Sequence, residues 1–367
     1  MLCFFLTHQA KPPIFFSKTT SYQLNRGCKP QKLKEVYLMK RLFFVAFLAV
    51  LVIGAGVIPT AVQAKAVFVS IGGGPTGGTY NYFANGISLY VPKIYPEIKM
   101  SAEGSGGSGE NIRRVHSGDF DFGLSYSVDI ALAAKGQLPK DTTVYDKVRC
   151  LGYLYGAPAQ LVVMADSPYK SGKDLIGKRV AVGNAGSGAA LSAERFFRHM
   201  GVWDQFKPQF LGYSAAASAF KDGKIDAFWV LVGFPNASVI EAATMSKIRL
   251  IDVGKDAEAT GFYNEFPYSS VTIPGGTYPG QTEDVASFQD STLLTSRSDV
   301  DADVVYKLMK ATWSKDGMEH MVQAHKAARA MSIENNFKGS SRPLHKGAAK
   351  FWQEMGISIP DNLKPID

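Results

Sequence analysis

The apolar positions of the chain alternate between short runs and helical stripes. Val67, Phe68, Val69 and Ile71 form a β-branched and aromatic run that predicts a buried strand. Five glycines follow between Gly72 and Gly78, and then Tyr82, Phe83, Ile87 and Tyr90 repeat at helical spacing. Thr79 stands where the N-cap of that helix is expected. A second unit repeats the pattern. Its strand is residues 98–103, its loop is Gly104-Ser105-Gly106-Gly107-Ser108-Gly109, and its helix runs from Glu110, Asn111, Ile112 and Val115 to Gly118. A third comes later, with strand Val180-Ala181-Val182, loop Gly183-Asn184-Ala185-Gly186-Ser187-Gly188 and a helix over 189–200.

Between these units, Asp121-Phe122-Gly123-Leu124-Ser125 reads as a short strand, with Ser125, Tyr126 and Ser127 at its carboxyl end and a helix over 128–134 behind it. Residues 151–164 form a long extended segment broken by Gly156 and Pro158, read as the crossing into a second lobe. There, Phe210 to Tyr213, a helix over 215–222, and strands over 225–232 and 248–253 continue a βαβ order. Residues 261–281 are rich in aromatics, Pro and Gly and predict loops and extended chain. Residues 287–295 should return to the first lobe, and Val304, Val305, Leu308, Met309 and Ala311 then line a helical core stripe. The expected division is one lobe from 66–155 plus 287–367 and a second from 156–286.

A strand, a glycine loop and a helix start together aim backbone N–H groups and the positive end of a helix dipole at one point. That is an anion site, for phosphate or carboxylate. In open α/β sheets ligands sit at the carboxyl ends of strands.

The chain has 367 residues and a formal charge of +8. Residues 1–64 hold eight of the 40 Lys and Arg and one of the 32 acids, so the remainder is nearly neutral. Nothing in it suggests nucleic-acid binding or a polybasic membrane surface. Met39-Lys40-Arg41, the apolar run 42–57 and the small-residue sites Val62-Gln63-Ala64 and Ala64-Lys65-Ala66 predict a secretory signal peptide over 39–64. Translation is expected to start at Met39, residues 1–38 being a gene-start error. The exported body would keep Cys150 alone, so no disulfide within the chain is expected. No lipobox cysteine follows the apolar run, which predicts a free periplasmic protein.

Rival chemistries fit poorly. Gly72, Gly74 and Gly77 satisfy GxGxxG, with Glu103 ending the next strand, as a nucleotide-dependent oxidoreductase requires. Export, Pro75 inside the loop and the similar loop in the second lobe count against a dinucleotide. Gly78-Thr79 replaces the Gly-Lys of a P-loop. Ser105 and Ser108 each lack one glycine of GxSxG. Ser167 to Lys170 reads as a surface turn. His116, His199, His320, His325 and His345 are scattered, and Asp129 and Glu194 read as solvated rather than as metal ligands.

Several segments, in order, resemble the TAXI family of substrate-binding proteins from tripartite ATP-independent periplasmic (TRAP) transporters. They are Gly77-Gly78-Thr79-Tyr80, Ala102 to Ser108, Asp121 to Leu124, Gly177 to Gly183, Gly186-Ser187-Gly188, Leu211 to Ser214, Asp222 to Phe228, Gly233-Phe234-Pro235-Asn236 and Ile273 to Tyr278. The likeness spans about residues 66–357. It implies a type II periplasmic-binding-protein fold, with two α/β lobes around a ligand cleft joined by crossover strands. It also implies a monomeric receptor without enzyme activity or cofactor, which passes glutamate or a related dicarboxylate to an ion-gradient-driven permease; whether a metal ion assists is left open. An exported sensing receptor with no transport role is the alternative.

By position, the resemblance implies that Thr79 and Tyr80 hold one end of the ligand. Ser105, Gly107 and Ser108 would add donors, with Asn111 orienting them, and Ser125, Tyr126 and Ser127 would contact the ligand from the third strand. Asn184, Gly186, Ser187 and Gly188 would hold the other carboxylate, and Gly233, Pro235 and Asn236 would close the side. Glutamine is common in the family where Tyr126 stands, and threonine where Ala189 stands. Both departures imply a ligand less polar than glutamate, or differently shaped.

Overall fold

The computed structural model describes residues 65–366. The expected start at Met39, the signal peptide, Cys3 and Cys28 lie outside the described residues. Ten strands in chain order carry the fold: β1 (Val67–Gly72), β2 (Ile98–Glu103), β3 (Phe122–Tyr126), β4 (Val148–Met164), β5 (Arg179–Ala181), β6 (Lys207–Gln209), β7 (Ala227–Leu231), β8 (Ile248–Ile251), β9 (Ser269–Ile273) and β10 (Val285–Arg297). They lie in the order β2-β1-β3-β10-β4-β7-β5-β6, with β8 also on β4 and β9 also on β10.

Two α/β lobes share this sheet. In the first, β1 pairs in parallel with β2 (Val67 opposite Ile98) and β3 (Ile71 opposite Phe122), while β10 runs antiparallel to β3. In the second, β5 lies parallel to β6 and β7. Two long strands join the lobes. β4 pairs with β10 from Val148 to Pro158, then turns to β7 from Ala159 and to β8 from Leu161. It is unbroken, because Gly156 and Pro158 mark a change of partner rather than an end to the strand. β10 runs the other way, pairing with β9 over Val285–Gln289 and with β3 over Thr292–Ser296.

The helices are α1 (Thr79–Ile94), α2 (Ser108–Ser117), α3 (Ser127–Ala133), α4 (Gly188–His199), α5 (Tyr213–Lys221), α6 (Ala237–Met245), α7 (Val253–Thr260), α8 (Phe262–Glu265), α9 (Ala302–Thr312), α10 (Lys315–Ala324) and α11 (Lys346–Glu354). Four of them, α1, α2, α4 and α5, start at glycine loops. Helix α8 interrupts a stretch expected to be loop and extended chain. Phe262 is fully buried against Tyr268 and Phe288, and this aromatic burial outweighs the local Pro and Gly content. β6 sits a few residues before the expected Phe210–Tyr213, which forms the turn into α5.

Cys150 is a buried free thiol, pushed up to about 11 by burial. Among the described residues no helix is long and apolar enough to cross a membrane.

The second lobe's core centres on Trp229 of β7. Its ring packs on Phe196, Phe197 and Phe288, and its Nε1 donates to Ser192 Oγ at 3.0 Å. Trp229→Ala should cost about 3–5 kcal/mol, read as a lower urea midpoint with an unchanged slope. A midpoint like that of the native protein would show that this cluster does not hold the lobe.

Candidate functional site

Four helix N-termini meet at one cavity, two from each lobe. The cavity is lined by Gly78, Thr79 and Tyr80 at α1, by Gly106, Gly107 and Ser108 at α2, by Ser187, Gly188 and Ala189 at α4, and by Tyr213 at α5, with Pro75, Tyr126 and Val232. The first N–H groups of a helix have no partner inside it. A polar side chain usually caps them, but the N-caps of α1, α2 and α5 are Gly78, Gly107 and Gly212, and none of the three helices receives a side-chain cap bond. Only α4 is capped, through Ser187 Oγ accepting from Ala190 N at 3.0 Å. Each helix start carries roughly half a positive charge, and no charged side chain lines the cavity. The arrangement suits an anion held by backbone donors.

Glycine is needed at these turns for space as well as conformation. A Cβ on Gly78 would lie 3.0 Å from the Pro75 carbonyl and 3.1 Å from the Tyr213 ring. Gly78 therefore takes the N-cap place expected of Thr79, and Thr79 becomes the first helical residue. Its freed hydroxyl donates across the lobes to the Gly233 carbonyl at 3.3 Å. Gly107 adopts φ 116°, a left-handed value open to glycine.

Tyrosines form the walls. Tyr126 Oη donates to the Leu231 carbonyl of the other lobe, which also accepts from Tyr213 Oη at 3.1 Å. Tyr80 packs on Tyr126 with ring centroids 4.9 Å apart, and its buried hydroxyl has no hydrogen-bond partner. Burial pushes the hydroxyls of Tyr80, Tyr126 and Tyr213 up from their ordinary value, so all three stay neutral donors. A Cβ on Gly188 would come within 2.4 Å of the Tyr126 ring.

The lobes are drawn together here. Asn236 Nδ2 donates to the Gly77 carbonyl at 2.8 Å, and Ser214 Oγ to that of Thr76 at 3.4 Å. The cavity is about 20 Å³, room for about one water.

Other predicted site residues lie behind this lining and shape it. Ser105 Oγ donates to the Gly73 carbonyl and accepts from Gly107 N, holding the second loop. Asn111 Nδ2 donates to the carbonyls of Gly73 and Leu124, both at 2.7 Å, tying the first loop to β3. Ser125 Oγ reaches the Ser108 carbonyl at 3.5 Å. The Asn184 carbonyl accepts from Ser187 N at 3.0 Å, and Gly186 makes a left-handed turn at φ 72°. Gly233 acts through its carbonyl, and Pro235, after a cis peptide bond, faces a different crevice. Residue-by-residue reading did not single out Gly106, Tyr213 or Val232. Tyr213 had a signal, since Gly212-Tyr213 repeats the glycine-then-hydroxyl pattern of Gly78-Thr79.

Ser127 belongs to a buried charged cluster beside the cavity, donating to Asp290 Oδ1 at 2.7 Å. Asp129, expected in solvent, is buried and paired with Arg195 of α4. The correction follows from position, because α3 of the first lobe meets α4 of the second and their facing charges neutralise one another. Glu194 instead pairs with Arg198 at 2.8 Å near the surface. Burial works against the Arg195 charge, but Tyr268, Asp129 and Asp290 outweigh it and raise its pKa. Burial, with Asp129 nearby, pushes Asp290 up to about 7. Among the described residues no group of three His, Cys, Asp or Glu is placed to hold a metal.

A profile of the NMT1-like family matches residues 71–356. Among solved structures, the periplasmic aliphatic sulphonate binding protein SsuA from Escherichia coli is 16% identical with a TM-score of 0.43, covering 79% of this chain and 91% of its own. The alkanesulfonate-binding protein SsuA from Xanthomonas axonopodis pv. citri is 15% identical with a TM-score of 0.43, covering 80% and 92%. A TctC solute binding protein from Polaromonas is 16% identical with a TM-score of 0.42, covering 76% and 91%. The profile match alone carries the assignment.

The Asp290 carboxyl has a raised folded pKa, so it favours folding below the unfolded value of about 4 and loses that contribution as pH rises through about 7. Asp290→Asn should therefore gain about 2–4 kcal/mol over the native protein between pH 4 and pH 8. Parallel melting curves across that range would contradict it. By its profile, this chain belongs to the NMT1-like family.

Proposed function

We propose that the protein is a periplasmic solute-binding receptor of the TAXI type, serving a TRAP transporter. It captures a small carboxylate, in the class of glutamate and related dicarboxylates, and presents it to a membrane permease. The observation that carries this reading is the meeting of three uncapped helix N-termini and one capped one at a single uncharged cavity, with both lobes contributing. The sequence likeness supports the TAXI assignment, and the lobe limits proposed are 66–155 plus 287–367 and 156–286.

The mechanism is differential affinity. A carboxylate satisfies N–H groups on both lobes only when they are together, so binding favours the closed form. The described form is nearly filled by its own tyrosines. Entry therefore requires the lobes to part, breaking the Tyr126–Leu231, Thr79–Gly233 and Asn236–Gly77 bonds. Ligand oxygens then meet the free N–H groups and the unpartnered Tyr80 hydroxyl.

A thermal-shift panel of acetate, pyruvate, succinate, 2-oxoglutarate, glutamate and NADH tests the reading. At 100 times its Kd the true ligand adds about 2.7 kcal/mol, a rise of roughly 5–10 °C. Gly188→Val should abolish the rise, and Tyr126→Gln should move the preference toward the more polar acids. A response to NADH alone, or unchanged ligand ranking in Tyr126→Gln, would count against it.

A further inference from the structure

A second crevice, of about 500 Å³, opens beside the crossing strands. It shares no lining residue with the cavity between the helix starts. Tyr153 and Tyr155 of β4 and Phe234, before the cis proline, give it aromatic walls. Lys326 and Arg329, in the turn after α10, line it, and among the described residues neither makes an ion pair. Lys338, outside the lining, lies 5.8 Å from the centre of the Tyr153 ring. No acidic side chain lines the crevice. Its volume falls within the roughly 300–1,000 Å³ usual for small-molecule sites.

We propose that this crevice is a second ligand site, for a small organic anion with a flat apolar body, such as an aryl carboxylate or aryl sulfonate. The half-buried Phe234 ring would stack on the flat body, with the edge of Tyr153 beside it and the fully buried Tyr155 behind. Lys326 and Arg329, unpaired at the rim, would take the anionic group, which gains from cations that need no other partner released. The site touches both crossing strands through Tyr155 and Gln289. Gly233 separates it from the primary cavity: a Cβ there would meet Ala327 at 2.8 Å and the Tyr155 ring at 3.1 Å, while the Gly233 carbonyl faces Thr79. A ligand lodged here would brace the wall on which Thr79 closes. This inference does not depend on what the primary cavity binds.

The probe is 8-anilinonaphthalene-1-sulfonate, followed by fluorescence on the folded chain, with benzoate and benzylamine as competitors. One saturable site is expected, displaced by benzoate and not by benzylamine. The double variant Lys326→Glu with Arg329→Glu should weaken dye binding about 30-fold, with far-ultraviolet circular dichroism unchanged. Lys326→Arg with Arg329→Lys should keep the affinity within about threefold. Gly188→Val, which blocks the primary cavity, should leave dye binding intact. The proposal is overturned if the charge reversal does not weaken binding, if benzylamine competes as well as benzoate, or if Gly188→Val abolishes the dye signal. Loss of dye binding with a retained carboxylate shift, or the reverse, separates this site from the primary one.

Discussion

Helix starts need acceptors, and in this protein the sequence withholds them. Gly78, Gly107 and Gly212 occupy N-cap positions where Ser, Thr, Asp or Asn would ordinarily take a backbone N–H. A Cβ would be crowded at Gly78 and would meet the Asn184 side chain at Gly212, while at Gly107 the positive φ rather than space disfavours a capping side chain. The N–H groups that result are aimed at one point by two lobes that share one continuous sheet. The proposed affinity for an anion and the proposed dependence of binding on closure both rest on that arrangement, in a cavity whose lining holds no charged residue.

Closure then needs only modest forces. Hydrogen bonds between neutral groups, such as Asn236 to Gly77 and Tyr126 to Leu231, each contribute about 1 kcal/mol net, small enough to break on opening. The Arg195–Asp129 pair joins α4 of the second lobe to α3 of the first beside the cavity. With Asp290 and Tyr268 it forms a buried polar cluster. Opening would re-expose these charges to water, which offsets much of the lost pairing. In the proposed opening, the two long strands β4 and β10, each continuous through both lobes, would serve as hinges.

Most of the fold was legible because glycine loops, β-branched runs and helical stripes are local signals. β7, reading AFWVL, is apolar throughout as a strand buried on both faces must be. The site was legible at the level of loops and less so at the level of side chains. Ser105 in the second loop, Asn111 in α2 and Ser125 in β3 sit where the sequence places them, yet their polar atoms turn to backbone carbonyls behind the lining. A sequence shows that a serine follows a glycine, not which way its hydroxyl points. Asp129 and Tyr213 depend on partners 66 and 18 residues away, Arg195 and the Leu231 carbonyl, and no local pattern announces such contacts. Helix α8 is the same lesson in reverse, since its reason to exist is the ring of Phe288, contributed by β10.

The central claim is that the convergent helix starts hold a carboxylate. It is tested most directly by mass spectrometry of the small molecules released on denaturing protein purified from the periplasmic fraction. The account predicts one low-molecular-weight carboxylic acid in near-stoichiometric amount. Release of a nucleotide or dinucleotide instead would contradict it, and would return the first glycine loop to the role its GxGxxG spacing suggests.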